Sequence, residues 1–317
     1  MRALAIGLVL VLSACAAAPT KPVVETDASI KPTDPLIDDV RILADDAMQG
    51  RAPGTKGSAM ARSYIEDRLA EIGVDPVRAT YEQAFIFTTE KEAHEGTNIV
   101  GRIEGTARNH ARHVMVVTAH YDHLGVVNGQ IFNGADDNAS GVAGLLAIAQ
   151  AFADSPPRHD VIFAVVDAEE PGNKGSRVLV SDPPVPLSAV VLNVNLDMLS
   201  RNDKGELYAA GAAHWPFIQG RLEALAKTAP VTLKLGHDTP AWGESQDWTT
   251  ESDHVAFNEK GIPWVYFGVE DHPDYHTPAD RFSTIPQDFF RRSAATVVQA
   301  ARAFDDDLDA IAKDAGR

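Results

Sequence analysis

The residues able to do chemistry gather in five short segments: HYDH at 120–123, NGADDNASG at 133–141, DAEE at 167–170, NVNLDM at 193–198 and HPDYHTPAD at 272–280. Histidine and carboxylate are the donors that borderline and hard divalent cations take. His120 offers an imidazole, with Asp122 two residues on to accept its other N–H and fix the tautomer. Taken alone, that pair reads equally as a surface histidine beside a solvated acid. Asp136 and Asp137 sit in a glycine-flanked loop before a helix, where an ordinary helix cap is the competing explanation. Glu169 and Glu170 are adjacent acids that repel and raise each other's pKa unless a cation is near. Asp197 ends an otherwise apolar run, and an unpaired acid there is costly. His272 and His276 lie in a proline-containing loop and could simply be exposed.

The elements that must carry these residues give the pattern its force. HVMVVTAHYD, DVIFAVVDAEE and AVVLNVNLDM are near-continuous apolar runs, suited to strands buried on both faces. ASGVAGLLAIAQAFA between the first two reads as a helix, as do PLIDDVRILADDAM, 57–72 and the final PQDFFRRSAATVVQAARAF. Further strands are expected around 81–87 and at TNIVGRIEG, KGELYAAG and IPWVYFG, and VVNGQIF carries an Asn-Gly hairpin signal. The alternation predicts an α/β protein: a three-layer αβα domain with a mainly parallel mixed sheet flanked by helices. His120, the 167–170 acids and Asp197 then fall at the C-terminal ends of buried strands, the rim where open α/β sheets bind ligands.

In this order the five segments closely resemble the zinc exopeptidase family of bacterial leucyl aminopeptidases and glutamate carboxypeptidase II, over about residues 36–305. The resemblance implies the zinc-dependent exopeptidase fold and two Zn²⁺ per chain. It places His120 and Asp197 on one zinc, Glu170 and His276 on the other, and a bridging carboxylate between them. The bridge is expected at Asp137, the acid followed by the family's short segment ending in Ser-Gly, with Asp136 as the competing choice. Glu169 takes the general-base place, Asp122 the place behind His120, and Asp253 of ESDHVAF a supporting hydrogen-bond role. Tyr275 is expected either to stabilise an oxyanion or to pack. Three carboxylates against four positive charges leave a remainder that favours a bound hydroxide, and two zincs about 3.5–4 Å apart lower the pKa of a shared water toward about 7.

The implied activity is a metallo-exopeptidase that hydrolyses peptides, in first place an aminopeptidase removing N-terminal residues. A carboxypeptidase or dipeptidase of the same fold, or a glutaminyl cyclase, are the alternatives. A carboxypeptidase acting on acidic dipeptides would need a basic cluster, for which Arg177, Arg201 and Arg281 lie near the motifs. Trp215, Trp242, Trp248 and Trp264 are candidates to line a substrate pocket.

A net charge of −17 argues against nucleic acid or anionic lipid as the main partner. Arg2 and the apolar run ALAIGLVLVL, too short to span a bilayer, read as an export signal over 1–14. It ends in Leu-Ser-Ala-Cys, which resembles the lipobox of bacterial lipoproteins, so the single cysteine, Cys15, is the expected lipidation site and bilayer anchor. Residues 15–35, with four prolines, read as a tether to one catalytic domain over 36–317. The expected location is the outer membrane, facing the periplasm. With no second cysteine, neither a disulfide nor a thiolate metal site can hold this fold.

Overall fold

The computed structural model describes residues 34–89, 92–107, 113–243 and 246–317. The expected signal segment, Cys15 and nearly all of the tether lie outside these residues. The described chain from Asp34 to Arg317 forms one compact unit.

Helix α1 (Pro35–Leu43) begins on a proline, whose missing N–H is harmless in a first turn. Helix α2 (Lys56–Ile72) starts where the Thr55 hydroxyl accepts from Ser58 N at 3.2 Å, and it stops at Gly73 in the left-handed region. The strands follow as β1 (Asp75–Pro76), β2 (Glu82–Thr88), β3 (Ala93–Ile103) and β4 (Val114–His120). A separate hairpin joins β5 (Gly125–Val127) to β6 (Gln130–Phe132). Asn128 and Gly129 at its tip both have positive φ, which an Asn-Gly pair adopts readily. Then come α3 (Gly141–Asp154), β7 (Asp160–Val166), α4 (Lys174–Ser181), β8 (Val190–Leu196), β9 (Glu206–Ala210), α5 (Pro216–Ala226) and β10 (Thr232–Leu235). Helix α6 (His254–Asn258), β11 (Trp264–Gly268), α7 (Gln287–Asp306) and α8 (Leu308–Asp314) complete the described chain.

The main sheet runs β1-β3-β7-β4-β8-β11-β9-β10, with β2 also paired to β3. Its centre, β7-β4-β8-β11, is parallel, while β3 and β9 run antiparallel to their inner neighbours. Successive residues of the central strands serve opposite faces. Met115, Val117 and Ala119 of β4 join Val161, Phe163 and Val165 of β7 beneath α1, α2, α3 and α7. Val114, Val116, Ile162, Ala164 and Val166 face α4 and α6 instead. Helices on both faces explain why these strands lack polar alternation. Helix α3 is held by Leu145, Ile148 and Phe152, all wholly buried. Truncating Phe152 to alanine is expected to cost about 3–5 kcal/mol.

The αβα layering and mainly parallel sheet match the sequence expectation. Strand β10 and helix α5, which lie between the motifs, were not anticipated.

Candidate metal centre

Strand register sets the first contacts. The parallel ladder pairs Thr118 with Asn195, so His120 and Asp197, two residues further on, stand level at the sheet's C-terminal rim. His120 also pairs with Val166, which brings the 167–170 acids to the same edge. His120 Nε2 lies 3.3 Å from Asp197 Oδ1 and 3.5 Å from Asp137 Oδ1. The other oxygen of Asp137 faces elsewhere. Oδ2 is 3.0 Å from His276 Nε2 and 3.6 Å from His123 Nδ1. Glu170 closes this second group, with Oε2 at 3.4 Å from His276 Nε2 and Oε1 at 2.6 Å from His123 Nδ1. Two sets of donors thus meet at one carboxylate: His120, Asp137 and Asp197 on one side, and His123, Asp137, Glu170 and His276 on the other.

The adjacent Asp136 is spent on the scaffold. Its Oδ1 accepts from Ser140 Oγ, Ser200 N and Ser200 Oγ at 2.7–3.0 Å, and its Oδ2 faces His272 Nε2 at 3.1 Å. Asn138 ties the same loop to the end of β8, donating to Leu196 O and accepting from Met198 N and Gly141 N. From the other side, the Asp280 carboxylate accepts from the backbone N–H groups of Asp136 and Asp137. The loop therefore presents Asp137 with its main chain pinned on both flanks.

Arg51 supports the floor beneath. Wholly buried, it donates to Tyr121 O, Leu43 O, Asn133 O and Gly134 O at 2.6–2.9 Å, gathering the HYDH and GADD segments onto the first helices. Burial lowers its pKa to about 10, against the pull of Asp137 and Asp280, so it stays charged at neutral pH. Ala168, Met198 and His276, beside or within the donor set, have φ of 57°, 60° and 53°. Such backbone in non-glycine residues stores about 1–3 kcal/mol each and clusters at functional sites.

Two expected supports differ in detail. The Asp122 carboxylate accepts from Glu169 N at 3.0 Å and Glu170 N at 3.3 Å, so it orients the paired glutamates. The His120 Nδ1 atom lies nearer the Asp122 carbonyl, at 3.2 Å, than its carboxylate, at 3.7 Å. Asp253 is wholly buried, and a hydrogen bond from the Ser176 side chain works against the effect of that burial on its carboxyl. Burial raises its pKa to about 7.

Burial also raises the carboxyls of Asp137 and Glu169, and brings Glu170 to about 7. Asp197 goes the other way, because His120 outweighs its burial and lowers its pKa. A group of acids in a dry pocket is unstable without positive charge, and divalent cations invert that balance. The spacing fits such ions as well. Tetrahedral zinc with bonds of about 2.0–2.1 Å sets its donors about 3.3 Å apart, and the distances above scatter around that value. Glu170 Oε1 and both ring nitrogens of His123 are buried without a hydrogen-bond partner among the described residues, the pattern expected of metal donors.

The donors open onto a cleft of about 300 Å³ that Glu169 also lines. Met198, Trp248, Tyr266 and Val269 supply apolar wall, and Glu251 and Asp271 add negative charge. Tyr275 lines the cleft with its ring stacked on His276, centroids 3.9 Å apart. Of the four tryptophans only Trp248 reaches this cleft; Trp264 is core, Trp215 packs beside it, and Trp242 stacks on His237. The basic cluster that a carboxypeptidase acting on acidic dipeptides would need is not formed here. Arg177 pairs with Glu259, Arg201 with Asp274, and Arg281 donates to Pro278 O. Among the described residues no lysine or arginine lines the cleft.

Sequence reasoning overlooked His123, Arg51 and Asp280. His123 stands in the quoted HYDH, three residues beyond His120, and Asp280 closes the quoted HPDYHTPAD. Arg51 had only its loop, QGRAPGTKG, to mark it.

The fold and the donor set define a class: an α/β protein with histidine and carboxylate donors gathered at the C-terminal rim of a parallel sheet. The chain belongs to Peptidase family M28, whose model matches residues 98–301. It is 28% identical over 253 residues, 73% of this chain, to Aminopeptidase YwaD of Bacillus subtilis. It is 24% identical over 168 residues, 49% of this chain, to the Alkaline phosphatase isozyme conversion protein of Escherichia coli. The chain spans about half the length of these curated relatives, 51% and 48% respectively. Among solved structures, a Zn-dependent exopeptidase from Parabacteroides distasonis is 18% identical with a TM-score of 0.64, covering 85% of this chain and 97% of that one. Glutaminyl cyclase from Porphyromonas gingivalis is 20% identical with a TM-score of 0.65, covering 84% and 96%. At such identities these likenesses show the shared fold.

Proposed function

We propose that this chain is a zinc-dependent exopeptidase, of aminopeptidase type, with two zinc ions per chain. His120, Asp137 and Asp197 would hold one ion, and Asp137, Glu170 and His276 the other. The observation that carries this is Asp137, whose two oxygens face two separate donor sets. Bound zinc supplies Lewis acidity and a nucleophilic water at neutral pH. The chain's own residues do the rest. Glu169, on the cleft wall, takes a proton from the attacking water and passes it to the leaving amine. Tyr275, which lines the cleft beside His276, would donate to the oxygen of the carbonyl under attack.

An acidic cleft favours the aminopeptidase direction. Glu251 and Asp271 suit a substrate's free α-ammonium group, whereas a C-terminal carboxylate would meet no lysine or arginine among the described lining residues. The test is turnover of aminoacyl, carboxyl-terminal and N-terminal glutaminyl reporter peptides by the full chain, with and without a chelator. Chelator-sensitive release of N-terminal residues supports the reading; cyclisation of N-terminal glutamine without hydrolysis would replace it with the cyclase.

Export and anchoring through Cys15 are likewise proposed, supported by Arg2, the apolar run that follows it and the LSAC segment. Cys15→Ser should abolish incorporation of labelled fatty acid and release the protein from membranes. Unchanged fractionation would remove the anchor.

A further inference from the structure

Three-residue coordination of the second ion leaves His123 unexplained. Its side chain is wholly buried, and neither ring nitrogen has a hydrogen-bond partner among the described residues. A buried imidazole left so costs about 1–3 kcal/mol per unsatisfied group. Its Nδ1 approaches Glu170 Oε1 to 2.6 Å, yet the two are not aligned as a hydrogen bond, and Glu170 Oε1 has no other hydrogen-bond partner among the described residues. A cation between them would satisfy both. One donor atom each from His123, Asp137, Glu170 and His276 lies within 4.8 Å of the others, the compactness that four ligands of a single small ion require.

The ring is also held where it is. An added Cβ at Gly134 would lie 2.5 Å from the His123 Cγ atom, so the loop backbone walls one side of the imidazole. Arg51 donates to the carbonyls of Tyr121 and Gly134, fixing the chain on either side of this contact. Such support pre-sets a ligand before the ion arrives.

Building on the two-zinc reading, we propose that His123 is a fourth protein ligand of the second ion. The two positions are then unequal. The His123–Asp137–Glu170–His276 position is closed by protein donors and holds the tight ion. The His120–Asp137–Asp197 position has three donors, keeps an open coordination place toward the cleft, and loses its ion first. Closed four-donor sets are typical of firmly held zinc, and three-donor sets of zinc that meets substrate.

The test uses the full chain stripped of metal and reloaded with one, then two, equivalents of Zn²⁺, read by zinc-edge X-ray absorption and by competition with a chromophoric chelator. At one equivalent the tight ion should show about two imidazoles, from His123 and His276, and at two equivalents the average should be about 1.5 per zinc. His123→Gln should bring the first value to about one and weaken the tight equivalent by about 100-fold or more. One imidazole per zinc in the wild type at both loadings, or unchanged affinity in His123→Gln, overturns the proposal while leaving the two-zinc reading in place. Fewer than two bound equivalents in the wild type, with no effect of His276→Ala, overturns the two-zinc reading itself and this proposal with it. If His123→Gln fails to fold, the imidazole counts on the wild type decide alone.

Discussion

The Asp280 carboxylate accepts a hydrogen bond from the backbone N–H of Asp137 at 3.1 Å, joining residues 143 positions apart in the chain. The same group accepts from Asp136 N at 2.9 Å. An acid on the late histidine loop thereby sets the main chain of the carboxylate between the two donor sets. Asp280→Asn keeps the shape but turns an amide N–H₂ toward one of those backbone donors. The expected result is a loss of about 1–3 kcal/mol in stability and about 10–100-fold in metal affinity. Thermal melting with chelator and zinc competition measure the two effects separately.

Glu169 lines the cleft, with its backbone N–H held by Asp122. Glu169→Gln retains the volume and removes the carboxylate proposed as the base. Turnover should fall by about 10²–10⁴-fold while bound zinc stays at the wild-type level. Paired kinetics and metal analysis check this, and unchanged turnover would take Glu169 out of the mechanism.

Arg51 satisfies four main-chain carbonyls from a wholly buried position. A lysine in its place is a point charge without the guanidinium fork, and it strands several of those oxygens. Arg51→Lys should lower stability by about 2–4 kcal/mol, seen as a reduced urea midpoint at unchanged slope in metal-free protein.

The far end of the sheet carries a pH-dependent clamp. His159 Nδ1 faces Asp305 O at 2.9 Å and Asp305 Oδ1 at 3.1 Å, and Nε2 faces Asp309 Oδ1 at 3.2 Å. His113 Nδ1 meets the same Asp309 oxygen at 2.7 Å. The Asp305 hydrogen bond raises the His159 pKa above its usual 6.5. Asp305 lies below 3.8 because, against its burial, His159 and the backbone N–H groups of 158 and 159 hold it ionised. A raised histidine stabilises fully below its unfolded value and loses that effect as pH rises through the folded one. A depressed aspartate stabilises above its unfolded value and loses its effect as pH falls through the folded one. The clamp should therefore be strongest between roughly pH 4.5 and 6 and weaken toward pH 8. The gap in melting temperature between wild type and His159→Gln should be wider at pH 5.5 than at pH 8.5, and an equal gap would remove the charged histidine from the account.

Much of this was legible in the residues themselves. Apolar runs in VMVVTAH, VIFAVV and VVLNVNL required strands covered on both faces, and their polar ends required a common rim, because side-chain periodicity and desolvation act locally. The types of donor were legible too, since a chain with one cysteine near its start can offer a folded-domain metal only histidine and carboxylate. What sequence could not decide was which atom faces which. Asp136 and Asp137 are the same residue type side by side, and only the packing of Ser140, Ser200 and His272 around the first leaves the second to bridge the donor sets. His123 was unreadable for the same reason: its orientation depends on Gly134 and on Arg51, a residue 72 positions earlier. Local chemistry names the groups, but the distances of about 3 Å on which coordination depends exist only once remote segments have closed on one another.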